Sequence, residues 1–287
     1  MDDLRQRTET YLRDLQERIT ARLSTLADAK FEAKRWERPG GGGGEMRVMR
    51  GALFEKGGVN FSAVAGDRYP TMAEGSTPSL PDGVAAAPGE VAPHPPEAVA
   101  LAGQPFFATG VSLVLHPASP FVPIVHLNVR YLEVGGRRWF GGGADLTPCV
   151  PFDDDTRHFH DTLRAACAPA GPTAYERFSA WCDQYFYLAH RKSRRGVGGV
   201  FFDYLPGDER SFALVRGLGD AFLEAYVPLV ERRRATPFGE AEREALLRFR
   251  GRYVEFNLVY DRGTLFGLKT GGNLDAIFMS LPPLVAW

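Results

Sequence analysis

The sequence has little of what marks membrane, secreted or nucleic-acid-binding proteins. Its 287 residues contain three cysteines, and 34 basic residues against 35 acidic ones leave a net charge of −1. No apolar run approaches the roughly 18 residues that a membrane span needs, and the charged N-terminus has no signal region. We therefore expect no membrane span and no nucleic-acid partner. The cysteines form no CxxC pair, which predicts reduced thiols in the cytoplasm.

Motifs for organic redox cofactors are also missing. The glycine run at 40–44 lacks the Lys and Ser/Thr of a phosphate-binding loop. The GVGG at 196–199 precedes a predicted strand, whereas a dinucleotide site needs glycines that follow one. Neither GxSxG nor HExxH occurs. We therefore expect no organic redox cofactor, even if the chain catalyses an oxidation.

The sequence contains enough apolar residues for a packed core, since 44% are hydrophobic and 12% aromatic. Apolar spacings of three, four and seven predict one helix over residues 2–36, which the glycines at 40–44 end. The Pro-, Ala- and Gly-rich stretch at 70–100 predicts an irregular surface excursion. Further helices are predicted at 153–166, 172–194, 211–232 and 239–250, and strands at 46–66, 109–148, 197–205 and 251–272. Separate clusters of strands and helices favour an α+β fold with a largely antiparallel sheet.

The segment VPIVHLNVRYLEVGG is the most informative part of the chain. Side chains of a strand alternate between its two faces, so His126, Asn128 and Arg130 share one face. Apolar residues occupy the other face. A single polar residue of this kind is more often structural than functional, and burying one without a partner costs roughly 1–3 kcal/mol. Three in a row therefore predict the wall of a polar binding site.

Hairpins on either side of this segment extend the polar face. A symmetric turn at PASPFVP would set Ser112 opposite Arg130 and His116 opposite His126. The Gly135-Gly136 turn pairs the segment with the next strand: Arg130 with Gly141, Asn128 with Gly143 and His126 with Asp145. A bulge in the three-glycine run is an alternative that would shift this register. The glycines would leave a floor on which a flat ligand lies close to the backbone.

Four histidines form a second pattern. His116, His126, His160 and His190 are placed on two predicted strands and two predicted helices that could converge. Imidazole clusters suit first-row divalent metals. Half-buried helix histidines are also common, and the spacing matches no dedicated metal motif. A metal site and a purely structural role both stay open from the residues alone.

Seven segments carry a resemblance to a known family: FEKGGVNFS (54–62), GVSLVLHP (110–117), HLNVRY (126–131), WFGGGADLTP (139–148), FHDT with WCDQYFYLAHR (159–191), RGVGGVFFD (195–203) and GRYVEFNLVYDRGTLFGL (251–268). The chain resembles the oxygen-dependent coproporphyrinogen-III oxidases from about residue 30 onward. The resemblance implies oxidative decarboxylation of two propionates to vinyls, which gives protoporphyrinogen IX in haem biosynthesis with O2 as co-substrate. It also implies a single domain over 1–287, with an antiparallel sheet flanked by helices on both faces. A homodimer is implied, with a dimerisation segment over 250–287.

The resemblance further implies roles for individual residues. His126 matches a proton donor, and Asp145 matches a residue that hydrogen-bonds the pyrrole N–H groups. The implied substrate contacts are Ser112, Asn128, Val129, Arg130, Gly271, Gly272 and Asn273. The implied ligands of a divalent metal cation are His116, His126, His160 and His190.

The chain departs from the family pattern in three places. Asn273 stands where an arginine is usual, Tyr204 replaces an aspartate, and the sequence stops at Trp287 where family members continue. Three hypotheses follow. The first is an active oxidase, the second a tetrapyrrole-binding homologue with little or no activity, and the third a metal-dependent hydrolase built on the four histidines.

Overall fold

Seven antiparallel strands form the sheet on which the structure is built. The computed structural model describes residues 3–69, 85–95, 101–269 and 272–287. Its strands are β1 (Phe31–Glu37), β2 (Gly42–Met49), β3 (Phe54–Gly66), β4 (Phe106–Pro117), β5 (Ile124–Val134), β6 (Arg137–Thr147), β7 (Tyr187–Leu188), β8 (Ser193–Arg194) and β9 (Gly198–Pro206). The large sheet has the order β1-β2-β3-β4-β5-β6-β9, and β7 pairs with β8 alone.

Helices cover both faces of this sheet, which confirms the predicted α+β class. They are α1 (Asp3–Ala27), α2 (Asp153–Ala166), α3 (Ala174–Tyr185), α4 (Glu209–Arg233), α5 (Glu240–Val259), α6 (Arg262–Lys269) and α7 (Leu274–Phe278). On one face, α1 and α4 pack against the central strands. On the other face, Tyr253 of α5 packs against Val114 of β4 and Ile124 of β5. Among the described residues no helix combines the length and apolarity that crossing a bilayer requires.

Strand alternation explains why one face is the main core. The side chains of Val125, Leu127 and Val129 are fully buried in the cluster that also contains the apolar stripe of α1. That stripe consists of Leu12, Leu15, Ile19 and Leu23, spaced three and four residues apart as one helix face requires. The alternate residues of β5 must then point away from α1, towards the second face.

The predicted helix over 2–36 is too long. The helix ends at Ala27, Asp28 takes a left-handed backbone with φ 47°, and Phe31–Glu37 is a strand. The glycine run is not a helix stop, because three of its residues belong to β2. At Gly44 a Cβ would lie 2.6 Å from Cζ2 of Trp36, so the glycine makes room for the indole ring.

Two other predictions from the sequence were wrong, one over residues 251–272 and one over residues 172–194. The strand pair predicted over 251–272 is wrong where the structure describes it, because residues 251–259 belong to α5 and residues 262–269 form α6. Buried Arg250, Tyr253, Val254 and Asn257 follow the three-and-four spacing of a helix face. The predicted helix over 172–194 ends at Tyr185, and a short hairpin of β7 and β8 follows, with a 3₁₀ turn between them.

The stretch at 70–100 is described only for residues 85–95, which contain no helix or strand. These residues are docked rather than free. The Val91 amide donates to the Ala170 carbonyl at 2.9 Å, and the His94 amide donates to the Tyr204 carbonyl at 2.8 Å. The described part of the predicted surface excursion therefore packs against the end of β9 and the α2–α3 connection.

Register fixes which side chains meet on the second face of the sheet. The pairing of β5 with β6 is as predicted: His126 with Asp145, Asn128 with Gly143 and Arg130 with Gly141. The pairing of β4 with β5 differs from the symmetric prediction by two residues, because Ser112 lies opposite Asn128 and Val114 opposite His126. His116 instead pairs across to Lys56 on β3. The polar residues still share one face, since a shift of two preserves it.

Candidate active site

A cleft of about 350 Å³ opens on the second face of the sheet. Its floor contains one continuous cross-strand row of Asn60, Ser112, Asn128, Gly143 and Phe201. Volumes of this order are typical of small-molecule sites. This face carries all six polar residues that the sequence placed together, although not all of them reach the cleft. They are Ser112, His116, His126, Asn128, Arg130 and Asp145.

Aromatic rings form much of the cleft wall. Tyr185 stacks on Phe201 with ring centroids 4.0 Å apart, and Tyr69 stacks on Phe266 at 6.1 Å. Trp139, Tyr204, Phe106 and Phe186 complete the set of rings that line the cleft. Flat rings above a sheet make an apolar slot, which suits a planar or ring-shaped ligand.

A charged group stands at the floor of the slot. Arg130 Nη2 donates to Asp203 Oδ2 at 2.7 Å, and Nη1 donates to Asn128 Oδ1 at 2.9 Å. Burial alone would lower the pKa of Arg130, but the Asp203 carboxylate outweighs it and raises the pKa above its ordinary value. Arg262 Nη2 lies 3.9 Å from the same carboxylate. Two guanidinium groups therefore converge on Asp203 inside the cleft.

A bulge turns Asp203 towards this position. Gly142 pairs with Phe202 and Phe140 with Leu205, so Asp203 and Tyr204 together lie opposite one residue, Gly141. A Cβ at Gly141 would lie 2.5 Å from Asp203 Oδ1 and 2.8 Å from Arg130 Nε, so only glycine leaves room for the pair. The bulge that the sequence allowed in the three-glycine run at 141–143 thus occurs, but between β6 and β9 instead of between β5 and β6. Tyr204 has φ 55°, which costs a bulky residue roughly 1–2 kcal/mol.

His126 lies at one end of the cleft above a buried carboxylate. Its Nδ1 is 2.8 Å from Asp145 Oδ1, and Arg195 Nη2 donates to Asp145 Oδ2 at 2.6 Å. Burial alone would raise the pKa of Asp145, but Arg195 and His126 outweigh it and hold the pKa below its usual value. Asp145 is 2% exposed and its oxygens are occupied, so it supports His126 from below and does not line the cleft.

The other predicted substrate contacts are placed less uniformly. Ser112, Asn128 and Arg130 line the cleft. Val129 is fully buried on the opposite face, so its side chain belongs to the core. Asn273 is the N-cap of α7 and accepts from the Ala276 amide at 3.1 Å. Gly272 donates its amide to the Gly267 carbonyl, and Gly271 lies outside the described residues.

The four histidines do not form one site in this structure. His116 is fully buried, and its Nε2 contacts the Ser280 carbonyl at 2.8 Å. His160 contacts the Tyr175 hydroxyl and the Val197 carbonyl, and uses both ring nitrogens to do so. His190 lies on a 3₁₀ turn instead of a helix and contacts Glu255 and Tyr260. Within the described ranges no group of three His, Cys, Asp or Glu residues could hold a metal ion. The residues therefore do not fit the predicted metal, and no step of the chemistry is assigned to one.

The C-terminal segment 274–281 lies on the same face and is held there from the sheet. Lys56 Nζ donates to the carbonyls of Phe278 at 3.0 Å and Leu281 at 2.7 Å. Burial and the nearby Arg50 lower the pKa of Lys56 to about 8. Met279 packs over Gly58, where a Cβ would lie 2.3 Å from its Cγ.

A larger open groove of about 940 Å³ runs between α1 and β1–β3. Several of its charges pair with one another, as in the pairs that Arg47 forms with Glu17 and Glu45. The smaller cleft differs because its polar groups converge under an apolar wall. It is therefore the better candidate for a ligand site.

The sequence as a whole identifies the family. The sequence model of the family described as coproporphyrinogen III oxidase matches residues 7–287. The chain belongs to the coproporphyrinogen III oxidase family. It is thus an oxidoreductase that oxidatively decarboxylates coproporphyrinogen III in porphyrin and haem biosynthesis. Every residue of the cleft falls within the matched range.

Three charged residues of the cleft were missed from the sequence: Asp203, Asp261 and Arg262. Asp261 accepts from the Tyr185 hydroxyl at 3.0 Å and from the Thr264 amide at 2.7 Å. Asp261 and Arg262 fall within the strand pair predicted over 251–272, which gave them no place in a site. The signal that could have found them is the Asp-x-x-Thr capping pattern at the start of α6.

Lys56→Met should loosen the C-terminal segment. Loss of the two hydrogen bonds removes about 1–2 kcal/mol of local stability, so amides of residues 274–281 should exchange about tenfold faster. Hydrogen–deuterium exchange with mass spectrometry measures this. Lys34→Met is the matched control, because its ammonium pairs with Asp275 on the same segment but is exposed and contributes little. Equal exchange in both variants would contradict the anchoring role.

Proposed function

We propose that this protein is an oxygen-dependent coproporphyrinogen III oxidase of the cytoplasm that binds its substrate in the cleft above β4–β6. One observation supports the assignment most strongly. The cleft combines a slot of aromatic rings with two arginines, Arg130 and Arg262, at its floor. Coproporphyrinogen is a ring of pyrroles that carries carboxylates, so it offers both complementary surfaces. The three unpaired cysteines agree with a reducing compartment.

Arg130 and Arg262 are suited to hold propionates. A guanidinium group binds a carboxylate through two parallel hydrogen bonds, which fixes both position and orientation. A propionate that enters the cleft would share or displace the contact between Arg130 and Asp203. The carboxylates of Asp203 and Asp261 can then accept hydrogen bonds from pyrrole N–H groups, a role that the buried Asp145 is not placed to perform.

The oxidation needs an electron acceptor and a proton carrier. Conversion of one propionic acid side chain to a vinyl releases one CO2 and passes two electrons and two protons to the acceptor. We infer that O2 is this acceptor, because the sequence has no recognisable flavin or nicotinamide motif and the porphyrinogen ring is itself electron-rich. His126 is the side chain of the cleft best placed to move a proton, because one imidazole nitrogen can contact a ligand while the other is held by Asp145.

The purified protein should convert coproporphyrinogen III to protoporphyrinogen IX in air and stop when oxygen is removed. Chromatography of the porphyrins after chemical oxidation would show the product and a three-propionate intermediate. Turnover that continues without oxygen would exclude O2 as the acceptor. A folded protein that binds the substrate but forms no product would favour a non-catalytic homologue.

Arg130→Ala should weaken substrate binding more than it slows the chemical step. A charged hydrogen bond to a carboxylate contributes about 1.5–3 kcal/mol, which corresponds to a rise in KM of about ten- to a hundredfold. Steady-state kinetics of the variant would measure kcat and KM separately. Arg157→Ala is the control, because Arg157 is exposed and does not line the cleft. An unchanged KM in Arg130→Ala would remove Arg130 from the binding site.

We also propose that the protein is a homodimer, with residues 250–287 in the interface. The described part of this segment exposes several large apolar side chains: Leu258, Val259, Leu268, Leu274, Leu284 and Trp287. Exposed apolar residues concentrated in one segment are typical of an interface. Light scattering at micromolar concentration should give twice the chain mass of 31.6 kDa. A single-chain mass would contradict the dimer.

A further inference from the structure

A fully buried arginine lies behind the histidine of the cleft. Arg195 Nη2 donates to Asp145 Oδ2 at 2.6 Å, and Asp145 Oδ1 is 2.8 Å from His126 Nδ1. Exposure falls along this chain of contacts, since the side chains of His126, Asp145 and Arg195 are 21%, 3% and 2% exposed. The three residues connect the cleft to the interior of the protein.

Arg195 is held in place by its surroundings. Its guanidinium carbon lies 4.0 Å from the ring centre of Phe186, 4.6 Å from that of Tyr253 and 4.7 Å from that of Phe256. Its backbone amide donates to the Phe186 carbonyl at 3.0 Å. Three rings and one backbone bond leave the guanidinium little freedom to move.

This arrangement fixes the ring of His126 from two directions. An ionised carboxylate only accepts hydrogen bonds, so the proton between Asp145 and His126 lies on Nδ1. Nε2 is then the ring nitrogen available to a ligand in the cleft. The edge of Phe186, which packs on Arg195, also contacts the imidazole with ring centroids 6.0 Å apart. Arg195 thus touches both neighbours of His126.

A buried ion pair is a poor source of stability, because desolvation of two charges offsets much of their attraction. The main effect of such a pair is to hold the groups around it in one arrangement. If Asp145 were unpaired, burial would favour its protonated form, which can donate a hydrogen bond to Nδ1. The imidazole would then carry its proton on Nε2, and Nε2 would meet the substrate as a hydrogen-bond donor instead of an acceptor.

We infer that Arg195 is a positioning residue of the reaction: through Asp145 it fixes the orientation and tautomer of His126, so that Nε2 meets the substrate. This inference rests on the proposed role of His126 in proton transfer. Arg195 itself does not line the cleft, so it would act on a bound substrate only through its neighbours.

Two measurements on Arg195→Met and Arg195→Lys test the inference. Misplacement of a reacting group commonly lowers rates about a hundredfold, so kcat of Arg195→Met should fall about that much while KM changes less than about threefold. Arg195→Lys keeps a charge beside Asp145 and should recover part of kcat. Nitrogen-15 spectra of the six histidines, with the His126 signals assigned from His126→Gln, should show the Nδ1–H tautomer in the native protein. This pattern should be lost in Arg195→Met.

Arg177→Met is the matched control. Arg177 is also buried and pairs with a carboxylate, Glu90, at 3.3 Å, but it does not line the cleft. Its removal should lower the melting temperature without changing kcat or the His126 spectrum. A purely structural role for Arg195 predicts that both methionine variants behave alike, and that result would overturn the inference.

Removing Arg195 alone leaves a buried carboxylate without its cation, which could prevent folding. The double variant Arg195→Met with Asp145→Asn removes both charges and avoids this. It should fold, show a mixture of His126 tautomers and have low kcat; native kcat or a native spectrum would overturn the inference. The spectra do not depend on turnover. If the native protein were inactive but showed the Nδ1–H tautomer, the proposed function would fail and the positioning of His126 would stand.

Discussion

Strict alternation of side chains along β5 is the constraint on which the rest of the structure depends. Val125, Leu127 and Val129 are buried on the face that packs against α4, so the residues between them must point to the other face. A sheet that placed His126 and Arg130 towards the main core would leave charges unpaired there. One strand therefore determines where the core lies, where the cleft lies and which groups stand at its floor.

Polar groups on the second face lose hydration when they are buried, and residues of other elements offset this cost by pairing with them. Arg130 is matched by Asp203 through a bulge in β9, and Asp145 is matched by Arg195 from the loop before that strand. In both cases a carboxylate lies between a guanidinium group and a second polar side chain. The ion pair of Arg130 with Asp203 can in this way remain beside an apolar slot until a charged ligand exchanges with it, whereas the pair of Arg195 with Asp145 stays buried behind His126.

Sequence patterns correctly predicted those parts of the structure that depend only on residues close together in the chain. The Gly135-Gly136 turn gave the register of β5 with β6 correctly, because a two-residue turn leaves no freedom. The β4–β5 register was wrong by two residues, since the longer proline-containing loop does not have to be symmetric. Residues such as Tyr253 looked strand-like by composition, and only burial in three dimensions reveals their helical face. Asp203 and Arg195 were missed for a related reason, because their partners are on other strands.

The anchoring of residues 278–281 on the sheet has a consequence for how the molecule is assembled. Lys56 meets Phe278 and Leu281 across separations of 222 and 225 residues. Contacts between such distant residues lose most chain entropy when they form, so they form late. During synthesis on the ribosome, β3 to β6 leave the exit tunnel long before the C-terminal segment does. The nascent chain thus has to keep a partly formed sheet face away from other proteins until residues 278–281 are made and cover it.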